Sequence, residues 1–204
     1  MDGFSLPILP PDRLDEVVAH LLAGGVVAIP TDTVYGLASL ANSAEAVNAL
    51  IDLKGRGQQQ PIAVLVDSVE AVREYLESAS TLDRIARFWP GALTAVVLAR
   101  PAGLVPPVVT EAATIGVRMP DDELARAVIR ACGGVLAVTS ANRHGEPAAT
   151  TAAEVAAAFG DDLVILDDGT RNSSAPSTVV DLTGPRARIL RAGPISAADL
   201  DAEE

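Results

Sequence analysis

Eight short apolar runs recur along the chain and limit what it can fold into. They are VVAIP (26–30), PIAVLV (61–66), ALTAVVLA (92–99), TIGVRMP (114–120), GVLAVTS (134–140), LVILD (163–167), STVVDLT (177–183) and RARILRAG (186–193). Each is bounded by Gly, Pro, Ser, Asp or Arg and is rich in β-branched or aliphatic side chains, as buried strands are. Gly184 and Pro185 join the last two as an antiparallel hairpin.

Helical segments lie between them. DRLDEVVAHLLA (12–23) has Asp12 as its cap, a stripe of Leu14, Val17, Val18, Leu21 and Leu22, and Gly24 and Gly25 as its stop. SAEAVNALIDLK (43–54) is capped by Ser43. Two further helices start near Ser68 and Ser80, and DELARAVIRAC (122–132) follows. TAAEVAAAF (151–159) carries a capping box from Thr151 to Glu154, and SAADLDAEE forms a short acidic tail helix. TDTVYG (31–36) reads as a loop. The pattern predicts an α/β chain: one open, mixed sheet with flanking helices. At 204 residues it suits a single domain, with a core from about 11 to 195.

The formal charge of −12 argues against a general nucleic-acid binder, though not against a local nucleotide site. Cys132 is the only cysteine, which excludes an intrachain disulfide and a CxxC metal site and agrees with a reducing compartment. Its apolar context reads as core. The N-terminus has no basic region and is broken by prolines, unlike a signal peptide. No apolar run reaches the roughly 18 residues of a membrane span. A cytoplasmic protein is expected.

Lys54 is the only lysine, against fourteen arginines. It continues the inward series Val47, Leu50, Ile51 at helical spacing, at the helix C-terminus. A cation suits that end of the dipole. An inward register at the mouth of a core points to a site that needs a compact ammonium rather than a planar fork.

The chain has no GxxxxGK[ST] loop, no GxGxxG after a strand, no HExxH and no GxSxG. His20 lies within the first helix, and His144 has no carboxylate placed to complete a triad. Polar residues gather instead at strand ends: Thr31, Asp32, Thr33 and Tyr35; Lys54 and Arg56; Thr114 and Arg118; Ser140 and Asn142; Ser177 and Arg191. Loops at strand ends form ligand crevices in α/β sheets. Cations and hydroxyls without an acid–base pair suit a polyanion held beside a small polar molecule, with catalysis by positioning and charge neutralisation.

Seven segments, IPTDTVYGLA, LKGRGQQQPIAVLV, FWPGALTAVVL, IGVRMPDD, TSANRHGEP, STVVDLT and ILRAG, follow the order and spacing of the YrdC-like family, the threonylcarbamoyl-AMP synthases of tRNA modification. The resemblance runs from about Pro11 to about Ile195. Its most specific part is the KxR…SxN set of Lys54, Arg56, Ser140 and Asn142. It implies a single-domain, twisted YrdC-like sheet with a concave basic groove. The implied reaction joins L-threonine, bicarbonate or CO2 and ATP, with Mg2+, into threonylcarbamoyl-AMP and pyrophosphate.

By the same resemblance, Thr33, Arg118 and Ser177 would hold L-threonine. Arg56, Gln60, Thr114, Ser140, Asn142, Arg191 and the backbone near Ala148 would hold ATP. Lys54 and Arg56 would be catalytic, with Lys54 near the carbamate and the α-phosphate. The product would reach tRNA only through a downstream transferase complex. The chain departs from the family pattern at Gly57, Leu65 and His144. The rival expectations are a double-stranded RNA binder on the same fold, a carbamoyl-transfer relative, and a paralogue without activity.

Overall fold

The computed structural model describes residues 8–55, 60–100, 102–160, 163–172 and 175–201. Among the described residues ten strands form one sheet: β1 (Ile8–Leu9), β2 (Val27–Ile29), β3 (Gly36–Leu40), β4 (Ala63–Val66), β5 (Leu93–Leu98), β6 (Thr114–Arg118), β7 (Val135–Ser140), β8 (Val164–Leu166), β9 (Thr178–Asp181) and β10 (Arg188–Arg191). Their order is β1-β8-β2-β3-β7-β4-β6-β5-β9-β10. Parallel and antiparallel pairs are mixed, and β9–β10 is the expected hairpin, with Arg188 opposite Asp181. The helices are α1 (Leu14–Leu22), α2 (Ala44–Lys54), α3 (Val69–Val72), α4 (Glu123–Ala131), α5 (Ala152–Phe159) and α6 (Ala197–Asp201). None of the helices among the described residues is long and apolar enough to cross a membrane.

Period-two alternation divides the sheet residues between its faces. Val64, Val66, Ala95, Val97, Ile115 and Val117 enter the larger core, which α2 and α5 cover with Val47, Leu50, Ile51, Val155 and Phe159. The other face packs α1 and α4 against Val27, Ile29, Ala38, Leu136 and Val138, through Val17, Leu21, Val128 and Ile129. On that second face, Ala63, Thr94, Val96, Thr114, Gly116 and Arg118 border open space. The cavity occupies that uncovered part of the sheet.

Caps follow the sequence closely. Ser43 accepts from Ala46 N, Ser68 from Ala71 N and Asp122 from Ala125 N. At α5 both arms of the Thr151–Glu154 capping box are present. Backbone and hydroxyl donors of Thr150 pull the Glu154 carboxyl below its ordinary range. A lowered folded value means that this stabilisation is full above the ordinary carboxylate range and is lost as pH falls through the folded value. Thr151→Ala is expected to cost about 1 kcal/mol in a thermal melt at neutral pH.

Four local expectations are corrected. Asp12 does not cap α1. It lies in a 3-10 turn, Pro11–Arg13, because Pro11 opens that turn with its φ already fixed. Leu22 is 56% exposed, beyond the edge of the buried α1 stripe. The helix expected from Ser80 is a 3-10 helix, Ala79–Phe88, that begins after Ser78 without a side-chain cap. GLASL and Ile8–Leu9, to which the sequence reading assigned no strand, are β3 and β1. Gly, Ala and Ser weaken the strand signal in GLASL, and its pairing with β2 and β7 decides. Cys132 is half-buried, and burial pushes its thiol up to about 11.

Candidate active site

A cavity of about 420 Å3 opens over β4, β5 and β6, and Thr33, Thr114, Arg118, Ser140, Ser177 and Arg191 all line it. A second, of about 720 Å3, is lined by Ser140, Asn142, Ala148, Glu146, Glu154 and Arg191. The two share Ser140, Pro176 and Arg191, so they adjoin. Eight of the eleven expected residues therefore border one or other space. Gln60 is exposed and lines neither, and Arg56 lies outside the described residues. Lys54 also lines neither.

Arg118 ends β6 on the cavity face and is buried. Its Nε donates to Gly91 O at 3.0 Å, its Nη1 to Thr33 Oγ1 at 3.0 Å, and its Nη2 to Asp32 Oδ1 at 2.5 Å. A guanidinium has five N–H groups, so one remains on each terminal nitrogen. Two parallel donors are what a carboxylate accepts.

The hydroxyls beside it form a directed chain. Thr31 Oγ1 donates to Val34 O at 2.6 Å, which leaves it to accept from Thr33 Oγ1 at 3.1 Å. Thr33, already accepting from Arg118, keeps one lone pair.

Ser177 closes the opposite wall. Its Oγ lies 2.8 Å from Thr94 Oγ1 and accepts from Arg191 Nη2 at 3.2 Å. Arg191 also donates through Nε and Nη2 to Ser177 O, at 3.2 and 2.7 Å. Burial, and then the Arg118 charge, lower the pKa of Arg191. Two cations facing one space favour an anion there. Gly193 lets the chain pass behind this wall, since a Cβ there would meet Thr178 N at 2.4 Å and Pro176 O at 2.7 Å. Both are backbone atoms and cannot rotate away. Gly193→Ala is expected to cost about 1–3 kcal/mol in a denaturant melt, with Ser177 displaced.

Lys54 sits behind the shared wall, 5% exposed. Its Nζ lies 2.7 Å from Ser140 O, 3.2 Å from Ser140 Oγ, 3.2 Å from Asn142 O and 2.9 Å from Asn142 Oδ1. The α2 stripe delivers it there, and Gly55 ends the helix in the left-handed conformation. Asn142 Nδ2 donates to Arg143 O and Glu146 O, and Ser140 Oγ to Asn142 Oδ1. Backbone bonds Tyr35 N to Ala149 O, Ala141 N to Tyr35 O and Ala149 N to Ala141 O fix the rest of the wall.

His144 is exposed, and its backbone N–H donates to Lys54 O. His20 packs against Gly25, whose Cβ would meet its ring at 2.2 Å.

Sequence reasoning missed Thr94 and Thr110 as cavity residues, whereas Tyr35 belongs to the strand-end set it named. Thr110 Oγ1 lies 2.7 Å from Thr114 Oγ1. Tyr35 is buried, with its hydroxyl within reach of Asp167 Oδ1 and Gly169 O, and burial pushes it up to about 12, so it is a neutral phenol. Period-two alternation through ALTAVV would have placed Thr94 on the Arg118 face. Thr110 carries no such signal.

The family model described as Sua5/YciO/YrdC, telomere recombination, matches residues 19–193. The threonylcarbamoyl-AMP synthase of Chromohalobacter salexigens is 35% identical over 174 residues, covering 84% of this chain and 93% of that protein. The Bacillus subtilis threonylcarbamoyl-AMP synthase is 35% identical over 195 residues, covering 93% of this chain but 56% of that protein. The crystal structure of Pyrococcus abyssi Sua5 complexed with L-threonine is similar at TM-score 0.88 and 30% identity, covering 96% of this chain and 60% of that one. The chain thus spans somewhat over half of these last two relatives. Escherichia coli YciO shares the fold at TM-score 0.81 and 19% identity. With the ten-stranded mixed sheet, the adjoining cavities and the family match over most of its length, the chain belongs to the Sua5/YciO/YrdC family.

Proposed function

We propose that this chain is an L-threonylcarbamoyladenylate synthase, a nucleotidyltransferase that joins L-threonine, bicarbonate or CO2 and ATP. The observation that carries the reading is the pair of adjoining cavities: Thr33, Arg118 and Ser177 gather in one, and Ser140 and Arg191 lead into the other. In this reading the substrate carboxylate takes the two remaining N–H groups of Arg118. Thr33 offers its lone pair to the substrate hydroxyl or ammonium, and Ser177 closes the other side.

The nucleotide lies along Thr114, Ser140, Asn142, Arg191 and the backbone near Ala148. The threonine amine adds to CO2, forming an N–C bond and releasing a proton to solvent. A carbamate oxygen then attacks the α-phosphorus, the bond to the bridging oxygen breaks, and pyrophosphate leaves with that electron pair. Arg191 and Arg118 hold the two anionic ends in place, which is catalysis by proximity and charge.

ATP enters as its Mg2+ complex, so the metal is part of the substrate. Lys54 supports the wall from behind, fixing Ser140 and Asn142. Consumption of the adenylate falls to a transferase that modifies tRNA, which places the protein in the cytoplasm.

Labelled bicarbonate tests this reading. Label is expected in an adenylate only when threonine and ATP are both present. No labelled adenylate under any combination would contradict it.

A further inference from the structure

The two arginines that face the first cavity are balanced differently. Arg118 has a carboxylate partner: Asp32 Oδ1 at 2.5 Å, with side chains 7% and 14% exposed. Arg191 forms no ion pair among the described residues, and its partners are the neutral Ser177 carbonyl and hydroxyl. Asp32 does not line the cavity, so it touches Arg118 from behind. Screening is weak where both groups are buried, so the Asp32 charge acts strongly on Arg118.

We propose that Asp32 is a specificity-determining positioning residue, which neutralises Arg118 so that the amino-acid end of the cavity takes a zwitterion's carboxylate and refuses phosphate. This rests on the synthase reading. Phosphates carry more charge than a carboxylate and would otherwise gather on whichever arginine is unbalanced. With Asp32 in place, that arginine is Arg191, at the junction with the second cavity. The amino-acid end is then a site of near-zero net charge. Its fork still has one N–H donor on each terminal nitrogen, but with no excess charge for a polyanion. One carboxylate thereby keeps the carboxylate of one substrate and the phosphates of the other on two different arginines. Asp32 also sets the plane of the fork, because Gly91 O, Thr33 Oγ1 and Asp32 Oδ1 engage three different nitrogens of Arg118.

The test uses the purified chain with inorganic pyrophosphate and L-threonine as probes, by calorimetry and steady-state kinetics. In the wild type, threonine and pyrophosphate are expected to bind together without competing. In Asp32→Asn, which keeps the side-chain shape and one oxygen acceptor, pyrophosphate is expected to bind about tenfold tighter and to be displaced by threonine. The same variant should raise the threonine KM about tenfold and change kcat by less than about threefold, the signature of a binding rather than a chemical defect. Asp32→Glu, which restores the charge, should recover wild-type selectivity. A merely structural Asp32 would lower kcat and stability without making the two ligands compete.

Unchanged pyrophosphate affinity in a folded Asp32→Asn overturns the proposal. So does competition between the two ligands in the wild type, an arm that needs no variant. If the wild type binds no threonine at all, the synthase reading falls separately, and the pyrophosphate arm still decides the role of Asp32.

Discussion

Lys54→Ala is expected to cut pyrophosphate release at least about a hundredfold, because a displacement near 1 Å at a reacting site costs about that much. The loss comes through Ser140 and Asn142. Four oxygens, two from each residue, converge on one buried ammonium. Removing it leaves them facing an empty volume that a methyl group cannot fill. Hydrogen bonds to a charged group contribute about 1.5–3 kcal/mol each, with the higher costs when buried partners are orphaned, so a stability loss of about 3–5 kcal/mol is expected. Thermal melting of the variant checks that figure.

Lys54→Arg separates charge from shape. A guanidinium keeps the charge, but its donors diverge in a plane and cannot meet four oxygens gathered round a point. At least about a tenfold fall in turnover is expected, with a smaller stability loss. Full activity in Lys54→Arg would show that the compact ammonium is not needed.

Arg118→Lys is expected to raise the threonine KM about a hundredfold, from the loss of a two-point, charge-assisted contact. The substitution keeps the charge beside Asp32 but loses the fork. A lysine ammonium could answer Asp32 or a substrate carboxylate, but it could not also reach Gly91 O and Thr33 Oγ1 in the present geometry. The effect should fall mainly on KM, because the contact holds the substrate end remote from the bond that breaks. Steady-state kinetics at varied threonine checks it; a KM within about threefold of wild type would remove Arg118 from the pocket.

Much of this was legible in the sequence, for reasons tied to particular residues. Ser43, Ser68, Asp122 and the Thr151–Glu154 box mark helix starts because their oxygens satisfy otherwise unpaired N–H groups locally. Lys54 was legible because helical spacing alone puts it on the buried stripe of α2. Strand β3 was not, because GLASL owes its extended form to neighbours on both sides. Nor was the Asp32–Arg118 pair, which joins positions 86 residues apart. The resemblance implied a place for Lys54 near reacting atoms; its ammonium holds Ser140 and Asn142 and lines neither cavity. The distinction depends on side-chain reach across the sheet, which periodicity cannot supply. Ser140 ends β7 and Asn142 lies two residues on, and the resemblance gave both to ATP. Only the fold shows them as the two ends of one lysine's grip.

The most direct measurement of the central claim is pyrophosphate release from ATP by the purified protein, with L-threonine and bicarbonate added separately and together. Release is predicted only when both are present, and it should collapse in Lys54→Ala. Release that ignores threonine, or none at all from folded protein supplied with Mg2+ and both substrates, would contradict the synthase account.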